Sequence, residues 1–224
     1  MARAVLLAAA PKTTTMATDW EGMWSRGLAR GQAFDANQAE PALVGLMERH
    51  TLPTGRALVP GCGRGYSVVQ LASPERTALG LDIAPTGVAA ARELIAEMVG
   101  GSELEPQVDV QEADFFSADL ATKLGQFEVV YDCTFLCAIQ PDMRKAWAEQ
   151  MSKLLSPEGE LITLIFPNGP LGSTGPPFTI NEELVRSLLN PHGFTAVEVT
   201  EVPANQLARG RTGSEVIAIW KRSS

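Results

Sequence analysis

The residues best suited to chemistry sit in one glycine cluster, Gly61-Cys62-Gly63-Arg64-Gly65-Tyr66, and in acids further along the chain. Glycines let backbone N–H groups approach a ligand closely, and a following helix presents its positive end. Asp82 closes the next apolar run, where a carboxylate can accept hydrogen bonds from ribose hydroxyls. Glu112-Ala113-Asp114-Phe115-Phe116 offers a third contact after the run that follows. Taken alone, the glycine cluster also suits a plain strand-to-helix turn. With Asp82 it points to a cofactor that carries a nucleoside. The dinucleotide fingerprint G-x-G-x-x-G is missed by one position, because the third glycine is Gly65 and Tyr66 stands where it is expected. That spacing crowds a pyrophosphate. S-adenosylmethionine has no phosphate and fits better. Its amino-acid end would lie over Gly61 and Gly63, and its ribose on Asp82. Its adenine would meet Asp114, flanked by Ile83 and Phe115.

Positioning these groups requires alternating strands and helices. Apolar runs at Arg56–Pro60, Thr77–Asp82, Val108–Gln111, Glu128–Asp132, Glu160–Phe166, Ala196–Thr200 and Glu215–Trp220 predict seven strands. Between them, Val88, Ala91, Leu94, Ile95 and Met98 recur at helical spacing, as do Met143, Trp147, Met151 and Leu154. Asn181 before Glu182-Glu183 reads as a helix start. This order specifies a mostly parallel sheet with helices on both faces. The last two strands have no helix between them and should form an antiparallel hairpin. The segment from Pro167 to Pro177 reads as a loop at the carboxyl end of the fifth strand, where open α/β sheets place ligands.

Composition narrows the function. The chain of 224 residues has 18 basic and 26 acidic side chains, a net charge of −8, which argues against nucleic acid or an anionic membrane as partner. No apolar run approaches the ~20 residues of a membrane span. Three cysteines and two histidines, His50 and His192, argue against a disulfide framework, a metal site or a histidine-based triad. A reducing, cytoplasmic setting and a monomer are expected. Residues 1–18 read as a flexible tail, with an organellar targeting segment as the alternative and Met16 as a second possible start. Residues 19–224 read as one domain.

The run Arg56-Ala-Leu-Val-Pro-Gly-Cys-Gly-Arg-Gly-Tyr66 resembles the motif of the thiopurine-methyltransferase-like superfamily. So do Ser73–Arg76, Gly80–Ile83, Asp114–Phe116, Phe135–Arg144 with Ala146-Trp147, Leu154-Leu155 to Phe166-Pro167, and Gly175–Phe178. Within that superfamily the chain is most similar to the halide/thiol methyltransferases of plants, algae and fungi, from about Trp20 to Trp220. The resemblance implies a Rossmann-like, seven-stranded α/β fold that uses S-adenosylmethionine. It also implies methylation of a halide, bisulfide, thiocyanate or small thiol by in-line displacement. A pre-ionised acceptor needs no general base, so the scarcity of histidine is no obstacle.

The resemblance further implies an aromatic lid of Trp20, Trp24 and Phe34 over the cofactor. Phe34 falls later than the family spacing places it. An amphipathic helix burying Trp20 and Trp24 is the plainer alternative. Cys133 and Phe166 stand where relatives carry aromatic hydroxyls, which implies a less polar acceptor pocket and a soft sulfur acceptor. Cys133 also suits ordinary packing. Asp132 would bind the methionine end or a pocket water, or cap the following turn. Arg144 and Trp147 read as structural. Competing readings are a bulkier aromatic thiol as acceptor, a non-catalytic S-adenosylmethionine-binding module, and a nicotinamide oxidoreductase, which Tyr66 disfavours.

Overall fold

The computed structural model describes residues 18–172, 174–208, 211 and 213–223. The tail or targeting reading of residues 1–18 falls almost wholly outside them.

The chain runs through α1 (Trp20–Ser25), α2 (Pro41–Arg49), β1 (Gly55–Pro60), α3 (Tyr66–Leu71), β2 (Arg76–Asp82), α4 (Pro85–Val99) and β3 (Val108–Glu112). It continues through α5 (Leu120–Leu124), β4 (Phe127–Cys133), α6 (Arg144–Leu154), β5 (Leu155–Asn168), α7 (Glu182–Leu189), β6 (Phe194–Glu201) and β7 (Ser214–Arg222). The seven strands form one sheet in the order β3-β2-β1-β4-β5-β7-β6. Neighbours are parallel except at β5–β7 and β6–β7. The predicted hairpin therefore forms, with β7 inserted between β5 and β6. Strand order reverses between β1 and β4, and a crevice opens there at the carboxyl ends of the strands.

Residues alternate between two cores, as a sheet buried on both faces requires. Leu58, Val130, Leu161 and Ile165 face α5, α6 and α7. Ala57, Val59, Val129, Tyr131 and Ile162 face α2 and α3. A smaller cluster seats α4 on β3.

Helix α4 corrects one expectation. Met98 is 51% exposed, and Val99 takes the core position instead. At 100° per residue, Val99 falls within about 20° of the Val88 direction and Met98 about 80° away. Helix α7 starts where predicted, and Asn181 Oδ1 accepts from Leu184 N at 2.9 Å. The Pro167–Pro177 loop folds back on the turn after β4, with Phe178 N donating to the Cys137 carbonyl at 2.7 Å.

Candidate active site

Strand β1 delivers the chain into the glycine cluster. Gly61, Gly63 and Gly65 all have positive φ, at 58°, 53° and 87°. Gly61 could not be otherwise, because a Cβ there would lie 2.4 Å from the Phe135 ring. Phe135 is backed edge-on by Phe115 at 5.0 Å and stacked on Phe116 at 6.1 Å. At Gly63 the nearest atom to an added Cβ is the Trp24 indole, 3.7 Å away.

Asp82 ends β2 beneath this loop. Its Oδ2 accepts from Gly63 N at 2.9 Å and its Oδ1 from Ala84 N at 3.0 Å. Burial pushes its carboxyl above the ordinary value, against the pull of those N–H groups. A carboxylate has roughly four acceptor sites, so these backbone bonds leave Asp82 with acceptor capacity to spare.

The segment before α2 closes over the loop. Arg64 Nε donates to Asp35 Oδ2 at 2.6 Å, and its Nη2 to the Leu28 carbonyl at 2.7 Å. Its guanidinium also lies 5.2 Å from the Trp24 ring centroid. Phe34 packs edge-on against both Trp20 and Trp24, each at 5.7 Å. Helix α1 is fastened to α4 by Glu21, which accepts from Thr86 N at 3.0 Å and from the Thr86 hydroxyl. Trp24 and Phe34 line a cavity with Gly61, Gly63, Glu40 and Cys133. Trp20 reaches it only through Phe34. Helix α1 thus buries Trp24, as the plainer reading expects, and Phe34 packs beside it at the cavity.

The turn after β4 forms the far side. Thr134 has φ of 59°, which costs a β-branched residue about 1–3 kcal/mol. Asp132 holds the turn in place. Its Oδ1 accepts from Phe135 N at 3.2 Å and Leu136 N at 3.1 Å, and its Oδ2 from Trp147 Nε1 at 2.7 Å. Of the two roles open to Asp132, these bonds supply the cap, and Trp147 is its buried anchor. Burial raises the Asp132 carboxyl to about 6.

Of the expected cofactor residues only Trp24, Phe34, Gly61 and Gly63 line the cavity; Trp20, Asp82 and Asp132 lie behind it, and three others stand further apart. Ile83 is exposed and Phe115 lies in the core. Asp114 is exposed, with Oδ1 accepting from Phe116 N at 2.9 Å. All three follow β2 or β3, on the sheet edge next to Asp82.

The Cys133 side of the cavity departs from the expected loss of polarity. Cys133 lines the cavity, and its Sγ donates to Glu40 Oε1 at 3.3 Å. Arg211 Nη2 donates to the same oxygen at 2.6 Å, and its Nη1 to Glu215 Oε1 at 3.3 Å. Phe166 does not line the cavity, because the Arg211 guanidinium covers its ring at 4.3 Å. Charged groups from other elements thus stand beside both Cys133 and Phe166. Sequence reasoning missed Glu40, Arg211, Asp35 and Phe135. The local signals were Asp35 beside Phe34, Phe135 at the head of the Phe135–Arg144 run, and the arginines before the last strand.

The strand order, the glycine loop and the acid ending β2 define the class of Rossmann-like S-adenosylmethionine-dependent methyltransferases. A magnesium protoporphyrin IX methyltransferase from Synechocystis, solved with bound S-adenosylmethionine, shares this fold. Its TM-score is 0.65 at 19% identity, covering 90% of each chain. The sequence matches the thiopurine S-methyltransferase (TPMT) family over residues 15–222, and the chain belongs to that family. Similar curated proteins include "Probable thiol methyltransferase 2" of Arabidopsis thaliana, 39% identical over 92% of this chain and 85% of that one. "Thiocyanate methyltransferase 1" of the same plant is 40% identical over 91% and 84%.

Proposed function

We propose that the protein transfers a methyl group from S-adenosylmethionine to a small sulfur nucleophile or anion: a thiol, bisulfide, thiocyanate or halide. The observation that carries this reading is the cavity in which Glu40 and Cys133 face the glycine loop. The names of the plant relatives support the sulfur acceptors. The open face of Gly63, together with the unused acceptor capacity of Asp82, suits the donor. When bound, S-adenosylmethionine supplies an electrophilic methyl group on a sulfonium. Gly61, Gly63 and Asp82 would hold its amino-acid and ribose parts. Trp20, Trp24 and Phe34 would exclude water, which strengthens attraction between a cationic donor and an electron-rich acceptor. Ile83, Asp114 and Phe115 would border the base.

The test is one panel with purified protein: S-adenosylmethionine with 2-mercaptoethanol, thiophenol, bisulfide, thiocyanate, iodide, bromide or chloride. Methylated product and S-adenosylhomocysteine should appear together for at least one sulfur acceptor. Their absence with every acceptor would leave only a binding module.

A further inference from the structure

The acceptor side of the cavity holds a carboxylate with an unused oxygen. Glu40 immediately precedes α2 and is 5% exposed. Its Oε1 is shared by Arg211 and Cys133. Its Oε2 is buried and meets no donor among the described residues. A buried carboxylate oxygen is costly to leave unmet, so the position calls for a donor from a ligand. The hydroxyl of Tyr131 and the thiol of Cys133 are no substitutes for an anion there. Burial first, and then neighbouring charge, pushes both well above their ordinary values, so both stay protonated at neutral pH.

Charge points the same way. Two carboxylates, Glu40 and Glu215, flank the single guanidinium of Arg211. The cluster is net negative, and the cation is already engaged by both acids. A monoanion entering beside Glu40 meets repulsion, whereas a neutral thiol brings the donor that Oε2 lacks. Cys133 shows the contact in miniature, a neutral thiol resting on this carboxylate.

We propose that Glu40 determines the acceptor class: its free oxygen receives the S–H of a neutral thiol and disfavours monoanions such as thiocyanate and halide. The inference rests on the methyl-transfer reading above. In the reaction the thiol S–H bond breaks and its proton passes to Glu40 Oε2. A sulfur lone pair forms the new S–C bond, and the old C–S pair stays with the departing sulfur. A sulfur that is gaining a methyl group becomes strongly acidic, so even a carboxylate is base enough. The proton then leaves Glu40 for solvent with the product.

The test compares wild type with Glu40→Gln, which keeps an oxygen for Arg211 but removes the charge. With 2-mercaptoethanol, kcat/KM should fall about tenfold or more, the scale of a hydrogen bond to a charged group. With thiocyanate and iodide it should rise at least about threefold, the direction expected when a like charge is removed. Line broadening of 13C-labelled thiocyanate by the S-adenosylhomocysteine complex should show tighter binding in the variant. A parallel fall for thiol and anions, or unchanged thiocyanate binding, overturns the proposal. Should the Gln variant fail to fold by circular dichroism, Glu40→Asp decides. A retained charge must keep thiocyanate binding weak, and binding as tight as three-fold above wild type refutes the inference. If wild type methylates nothing, the methyl-transfer reading fails by itself, and the broadening experiment still judges Glu40.

Discussion

The glycine-loop side of the cavity and the Cys133 side use their polar atoms differently. On the first, Asp82, Asp35, Arg64 and Glu21 each hold backbone or side-chain partners at hydrogen-bond distance. On the second, Glu40 Oε2, Glu215 Oε2 and the Tyr131 hydroxyl are buried without a partner among the described residues. Interactions that are already satisfied fix a shape. The glycine-loop side is therefore a cradle held by its own pairs, whereas the Cys133 side keeps buried polar atoms unpaired among the described residues.

The largest expected effect tests whether the cradle depends on its internal pairing. The side chains of Arg64 and Asp35 are only 10% and 1% exposed, so Arg64→Ala leaves a buried charge without its partner. Loss of about 3–5 kcal/mol in urea unfolding is expected, with weakened S-adenosylmethionine binding by calorimetry. Equal stability would show that the segment before α2 is not anchored there.

Asp132 offers a test through pH. Its carboxyl is raised from 3.8 to about 6, so between those values the folded protein keeps a proton that the unfolded chain has released. The associated stability is full below pH ~4 and is lost as pH rises through 6. Relative to Asp132→Asn, wild type should lose about 2.4 kcal/mol between pH 4 and 7, on the scale of 1.36 kcal/mol per unit. A difference that stays constant with pH would place the Asp132 carboxyl elsewhere.

Asp82→Ala removes both the proposed ribose contact and the clamp on Gly63. The S-adenosylmethionine dissociation constant should rise tenfold or more, for about 1.5–3 kcal/mol. Unchanged affinity would move the ribose away from β2.

The smallest effect sharpens the contrast from the other side. Tyr131→Phe deletes a buried hydroxyl that lacks a partner. Its unfolding free energy in urea should hold or rise, by up to about 1 kcal/mol. A large loss would mean that the hydroxyl is paired after all.

What the sequence disclosed follows the range of its signals. Strands such as Glu128–Asp132 announce themselves because a sheet covered on both faces needs continuous apolar runs. Asp82 and the glycine loop were legible because both lie at strand ends in neighbouring β–α units. Met98 misled because three- and four-residue steps do not separate the centre of a helical stripe from its margin. Glu40 and Arg211 were invisible for a different reason. They pair across 171 positions, and no local period marks a contact made only when β7 enters the sheet. The cap at Asp132 was foreseen as one of two roles, yet its Trp147 anchor came from a helix read only as structural.

The insertion of β7 between β5 and β6 also sets a timetable for biosynthesis. A chain emerging from the ribosome has made the glycine loop and Asp82 once α4 begins, while Phe135, which covers Gly61, comes later. Glu40 is made early too, but its counter-cation waits for residue 211, followed by the strand that carries Glu215. Domains acquire structure in the order of synthesis, and long-range strand pairing is slow. A nascent chain would thus carry Asp82 and its clamp on the glycine loop long before Arg211 can pair with Glu40.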